Sequence, residues 1–178
     1  MTKFLSNIFL GTALILSGCN TIPKSYIIPQ RGMYPTFVPN TQVWATMNPY
    51  NSIADIQYGD IIVFVRLQDG VKYNYIWRVI ALANDTISML GTDVWLNNVK
   101  LDHKLVREEN DFIIYRELQR RMDHLVAYKK DDSTVSHNSF RAIVPSGNIF
   151  VLGDNRDDAA DSRYLGTIEF ESIIAKIK

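Results

Sequence analysis

The densest run of side chains capable of chemistry lies near the end of the chain. There Gly153-Asp154-Asn155-Arg156-Asp157-Asp158-Ala159-Ala160-Asp161-Ser162-Arg163-Tyr164-Leu165-Gly166 interleaves carboxylates with guanidinium groups. Gly and Asp are ordinary turn formers, but charges this close together must pair if they are buried, because an unpartnered buried charge is costly. Hydrolytic chemistry would need an electron-pair donor and a group to take its proton. Thr36 carries a hydroxyl beside Pro35 without an identifiable base, and Lys72, His103, His124 and His137 are joined by no spacing to a nucleophile. All three histidines are expected at the surface. The single thiol, Cys19, reads differently. It ends a stretch that opens with Lys3, continues as the apolar run Ile8 to Leu16 and closes on Ser17-Gly18, the pattern of a secretory leader with a small-residue cleavage site. The run is too short to span a bilayer, and Leu16-Ser17-Gly18-Cys19 matches a lipobox, in which the thiol is alkylated with diacylglycerol and the chain is cut before it. Cys19 is therefore expected to carry lipid. Each buried methylene contributes about 0.8 kcal/mol, so two or three acyl chains hold a protein on a membrane without crossing it. Asn20 in place of an aspartate retention signal leans toward the outer membrane. No second cysteine is present for an intramolecular disulfide.

The elements that must position these residues read as strands. At 178 residues and 47% apolar content, the chain suits one domain with a core of its own. Lys plus Arg equals Asp plus Glu at 19 each, which points away from a nucleic-acid groove or a polybasic membrane patch. After a polar linker ending near Ser25, β-branched and aromatic residues fall in short runs at 42–47, 60–67, 73–82, 86–89, 94–96, 99–101 and 149–152, and Asn97-Asn98 forms a tight hairpin turn between two of them. Residues 112–130 fit either a helix or a strand pair connected through 119–123, with the pair preferred. Residues 131–138 read as a loop, and 173–178 as a strand or short helix. The implied division is a leader over 1–18, a lipidated linker over 19–25 and a mainly β domain over 26–178.

Four segments, in order, resemble the signature boxes of signal peptidase I, the membrane-bound serine endopeptidase that removes signal peptides. Ile28-Pro29-Gln30-Arg31-Gly32-Met33-Tyr34-Pro35-Thr36 is similar to I-P-S-x-S-M-x-P-T, and Tyr58-Gly59-Asp60-Ile61-Ile62-Val63-Phe64 to R-G-D-I-V-V-F. Tyr75-Ile76-Trp77-Arg78-Val79-Ile80-Ala81 is similar to Y-I-K-R-V-I-G, and the segment 153–166 to G-D-N-R-D-N-S-x-D-S-R-Y-W-G. The resemblance implies an antiparallel β domain with a shallow hydrophobic peptide cleft. It places Gly32 at the nucleophile position, Trp77 at the base position, Ala159 at the lysine-orienting position and Gln30 at an oxyanion position. Glycine has nothing to attack a carbonyl, and an indole N–H donates but cannot accept a proton at neutral pH. The large indole beside a residue without a side chain suggests that ring and hole compensate. Arg78, Asp154, Arg156, Asp161 and Arg163 match charged positions that brace the cleft.

The expectation is a lipid-anchored signal-peptidase-like protein of the bacterial envelope that does not cleave. It would bind an extended peptide or an envelope protein, with no nucleic acid, metal or cofactor. Lys72 offers no substitute base, since five residues along a strand is about 16 Å and ends on the opposite face. Two alternatives stay open: an active peptidase using non-standard groups, and an envelope scaffold whose cleft is vestigial. Met33, Tyr34, Pro35, Trp44 and Trp95 are expected as packing or turn residues.

Overall fold

The computed structural model describes residues 23–119, 122–130 and 139–178. Cys19, His137 and the expected loop over 131–138 lie outside the described residues. The chain forms β1 (Lys24–Ile28), β2 (Thr41–Met47), β3 (Ile61–Gln68), β4 (Val71–Ala81), β5 (Thr86–Leu90), β6 (Asp93–Leu96) and β7 (Val99–Lys100). It continues with β8 (Asp102–Glu109), β9 (Phe112–Gln119), β10 (Met122–Lys129), β11 (Ser139–Ile143), β12 (Asn148–Leu152), a single helical turn α1 (Ser162–Leu165), β13 (Ile168–Glu169) and β14 (Ile173–Ile177). The fold is mainly antiparallel β, as expected. β1 begins inside the segment read as linker, and β8 and β11 are additional strands.

Among the described residues three sheets result. One has seven strands in the order β1-β2-β14-β3-β4-β12-β13, one has four in the order β11-β5-β6-β7, and one has three in the order β10-β9-β8. Alternation explains how the large sheet is covered on both faces. Ile62 and Phe64 of β3 enter one core cluster with Val79, Ile149 and Val151, while Val63 between them enters another with Val43, Ala45 and Ala175. In β12, Phe150 and Leu152 face a third cluster built with Ile87 and Leu96 of the four-stranded sheet. Successive side chains on a strand point to opposite faces, so runs such as Ile61-Ile-Val-Phe64 must be apolar throughout to be buried on both. Asn97 and Asn98 both have positive φ, 53° and 64°, the conformation a two-residue hairpin between β6 and β7 requires.

β4 governs the geometry of the site. Its first half, Val71 to Asn74, is exposed and its second half, Trp77 to Ala81, is buried. Trp77 and Arg78 are consecutive and therefore project to different faces. β10 and β9 pair from Met122↔Gln119 to Lys129↔Phe112, so the strand pair is formed rather than the helix.

Two expectations fail. His124 is buried, because β10 turns Met122, His124, Val126 and Tyr128 inward at period two, and His103 stacks on Tyr115 with ring centroids 4.1 Å apart. Trp44 does not pack: it stands 54% exposed on the open face of β2. Truncating Phe150, wholly buried among the sheets, to alanine is expected to cost about 3–5 kcal/mol in urea denaturation. Leu105→Ala on the exposed side of β8 is expected to change stability by about 0.5 kcal/mol or less.

Candidate functional site

The turn that follows β1 carries Gln30, Gly32, Met33 and Thr36 against the end of β12 and the buried half of β4. The Asn155 amide donates to the Gly32 carbonyl at 3.0 Å and ties the two segments together. A Cβ placed on Gly32 would lie 2.4 Å from Trp77 Cη2 and 2.6 Å from Trp77 Cζ3. A Cβ on Gly153 would lie 2.3 Å from Ala159 Cβ, 2.6 Å from the Gly32 oxygen and 3.1 Å from Trp77 Cζ3. Gly32, Trp77, Gly153 and Ala159 thus form one tightly packed floor, and the indole occupies the space a side chain at Gly32 would need. Trp77 is 6% exposed and its Nε1 has no hydrogen-bond partner among the described residues. Gln30 stands exposed at the rim.

Beneath this floor Asp154, Arg156 and Asp161 of the 153–163 segment are buried and paired. Arg78 grips Asp154 through two bonds, Nε to Oδ1 at 2.8 Å and Nη2 to Oδ2 at 2.7 Å, and the Thr36 hydroxyl donates to the same carboxylate. Burial pushes the Asp154 carboxyl up, but the Arg78 charge and its hydrogen bonds outweigh this and hold it below the usual range. A carboxylate so stabilised is a poor acceptor for the Thr36 proton. Arg156 pairs just as closely with Glu117 of β9, Nη1 donating at 2.7 Å to Oε1 and Nη2 to Oε2, and it also reaches the Tyr128 hydroxyl at 3.2 Å. Asp161 accepts from the Gly153 amide at 2.9 Å and from Arg163, whose Nη2 donates to the Arg156 carbonyl.

Three members of this network were not foreseen: Glu117, His124 and Tyr128. The only trace of Glu117 in the sequence is that a buried Arg156 needs a carboxylate partner. His124 Nε2 lies 3.6 Å from Glu117 Oε2, and neither ring nitrogen has a hydrogen-bond partner among the described residues. Burial, aided by the Arg78 and Arg156 charges, pulls the His124 imidazole down to about 4, against Asp154 and Glu117, which push it up. It is therefore neutral near pH 7.

Above the floor runs a groove of about 310 Å³ between β1 and the exposed half of β4. Ile27, Ile28, Met33, Tyr73, Tyr75 and Trp77 supply its apolar lining, and none of its lining residues is charged. β1 pairs with β2 alone, and β12 pairs β4 only between Arg78 and Ala81. Among the described residues, residues 71–77 of β4 therefore have a strand neighbour on one side only. Such edges can receive an extended chain by backbone hydrogen bonding. Lys72 lies on the exposed half of β4, on the face opposite Trp77. Among the described residues no group of histidine, cysteine and acidic side chains is placed to hold a metal ion.

The family model of the signal peptidases, peptidase S26, matches residues 1–178. Signal peptidase I of Bacillus caldolyticus is 30% identical over 154 residues, covering 86% of this chain and 76% of that protein. Signal peptidase I S of Bacillus subtilis (strain 168) is 30% identical over 156 residues, covering 88% and 74%. The crystal structure of a signal peptidase I from Enterococcus faecalis V583 covers 67% of this chain and 93% of its own, with a TM-score of 0.40 and 24% identity.

Four outcomes are expected from the geometry. Gly32→Ser alone overpacks the floor and should destabilise by about 1–3 kcal/mol. Combined with Trp77→Ala it should cost less than the two separate losses together, with a coupling of about 1 kcal/mol or more in a double-mutant cycle. Glu117→Ala leaves Arg156 buried without its carboxylate and should cost about 3–5 kcal/mol in denaturant unfolding. For His124 the folded group titrates near 4 and the unfolded one near 6.5, so the unfolded chain takes up the proton first as pH falls. Relative to His124→Leu, the wild type should lose up to about 3 kcal/mol between pH 6.5 and 4, with no further loss below.

Proposed function

The chain belongs to the signal peptidase family, peptidase S26, and on that premise we propose that it is a lipid-anchored envelope protein whose groove holds an extended peptide without cutting it. The observation that carries this reading is the contact between Trp77 and Gly32. The position matching the family's serine has no side chain, the position matching its lysine is an indole, and the ring lies where a nucleophile at residue 32 would stand. Ala159, at the position that would orient the lysine, offers only a methyl group to the same floor. Neither an electron-pair donor nor its base is present at the matched positions.

An active peptidase is the second reading, and the names of the relatives, both signal peptidase I, favour it. Thr36 is the aliphatic hydroxyl in the matched box that contains Gly32. Its hydrogen-bond acceptor, Asp154, is held ionised by Arg78, which leaves it weakly basic. The retained pairs Arg78–Asp154 and Asp161–Arg163 and the uncharged groove support binding: the pairs keep the floor in place, and the groove offers two strand edges. The anchor rests on Cys19 within Leu16-Ser17-Gly18-Cys19. Among the described residues no helix is long and apolar enough to cross a membrane.

The purified full-length chain, incubated with an exported preprotein, is expected to yield no product and to remain unlabelled by a serine-reactive phosphonate. A photo-crosslinker at Tyr73 on the groove wall should capture an extended apolar peptide. Cleavage that persists through purification and is abolished by Thr36→Val would overturn the reading in favour of an active peptidase.

A further inference from the structure

The outward face of the four-stranded sheet carries a line of side chains that neither the core nor the groove uses. By register, Arg141 of β11 lies opposite Ser88 of β5, Ser88 opposite Trp95 of β6, and Trp95 opposite Lys100 of β7. Residues directly opposite one another share a face, so these four form one row across the sheet. The residues on either side of Ser88 and Trp95 point the other way: Ile87, Met89, Val94 and Leu96 are buried in the cluster that contains Phe150. The row therefore lies on the far side of this sheet from β12 and the large sheet.

Ser88, the smallest member, leaves an open hollow of about 470 Å³ beside the half-buried Trp95 ring, lined also by Leu90, Asn98, Ser139 and Arg141. Its size is in the range of small-molecule sites, about 300–1,000 Å³. Lys100 stands on the β7 side of the indole, its Nζ 5.8 Å from the ring centroid and 2.6 Å from Asp93 Oδ2. The Asp93 carboxylate on this face is thus held by Lys100. Arg141 is exposed, and its direct and diagonal neighbours on β5, Thr86, Ser88 and Leu90, carry no carboxylate. No lining residue of the hollow is acidic.

These groups define the chemistry of a ligand. An indole offers a flat apolar surface, which suits the C–H face of a pyranose ring. Serine and asparagine side chains both donate to and accept from hydroxyl groups, and a guanidinium fork takes the two oxygens of a carboxylate or phosphate. An extended peptide would need an open strand edge at the hollow, whereas β5 and β6, which carry Ser88 and Trp95, each have a strand on both sides. We propose that this face binds an acidic saccharide, with a sugar ring stacked on Trp95 and its anionic group held by Arg141. The site is separate from the groove and does not depend on whether the groove cuts.

The test uses the purified full-length chain in detergent, labelled with nitrogen-15 at its three tryptophans. The Trp95 indole N–H signal is identified by its loss in Trp95→Ala. The probes are a hexuronate oligosaccharide, an uncharged hexose oligosaccharide of the same length and linkage, sodium acetate and a glutamate oligopeptide. The expected result is a saturable shift of the Trp95 signal by the uronate. Affinity for the uncharged oligomer should be lower by about tenfold or more, the factor that loss of a hydrogen bond to a charged group gives. Arg141→Gln, a change at an exposed position, should bring uronate affinity down to that of the uncharged oligomer at unchanged circular dichroism. A Trp95 signal that the uronate leaves unmoved overturns the proposal, and so does equal uronate affinity in wild type and Arg141→Gln. Saturation by acetate at the same concentrations would make the hollow a simple anion site, and saturation by the glutamate peptide would assign it to an acidic protein. Either result overturns the saccharide.

Discussion

Burial of charge in the 153–163 segment is the constraint from which the rest of the structure follows. Asp154, Arg156 and Asp161 are each 1% exposed or less, and a charge so placed must find an opposite charge or a set of hydrogen bonds. Each does so on a different element. Asp154 reaches Arg78 on β4, Arg156 reaches Glu117 on β9, and Asp161 reaches the Gly153 amide and Arg163. One segment thereby locks β4 of the large sheet to the three-stranded sheet. The short parallel bridge between Ala127 and Asn155 continues the same seam through the backbone. Because these partners are directional, they position the floor residues far more closely than apolar packing alone would.

In the proposed reading, the floor resting on that network has exchanged chemistry for packing. Gly32 presents a carbonyl to Asn155 and a bare Cα to the Trp77 ring. Gly153 is pressed by Ala159 and by the Gly32 carbonyl. No one of these residues can gain atoms unless another gives way. In the proposed reading this interlock accounts for the coexistence of a retained scaffold and altered matched positions: the charged frame serves the shape of the groove, and the shape can outlast the reaction.

Much of the strand pattern could be read directly. The apolar runs of β3, β4 and β12 and the Asn97-Asn98 turn come from local preferences, which need no partner to be recognised. β8 escapes local reading because it is polar and largely exposed, and β11 because it is only five residues long and has no fully buried residue, so their place in a sheet is decided by neighbouring strands rather than by their own composition. His124 was misplaced for a related reason. Its burial depends on which face of β10 turns inward, and the Asn155 segment, far off in sequence, sets that face. Nothing local distinguishes Glu117 from other strand charges, and its pairing with Arg156 is set by the fold.

By itself the sequence determined the residue types at the matched positions: glycine at 32, tryptophan at 77, alanine at 159, and a single cysteine behind a short apolar run. These are matters of covalent identity and order, legible without coordinates. Only the tertiary structure decided that Gly32 and Trp77 touch, that Arg156 is neutralised by Glu117, and that Trp44 faces outward beside the start of the described chain. Those facts depend on contacts between residues distant in sequence. Such contacts are chosen when the strands pair and the cores close, through burial and charge pairing that no local pattern encodes.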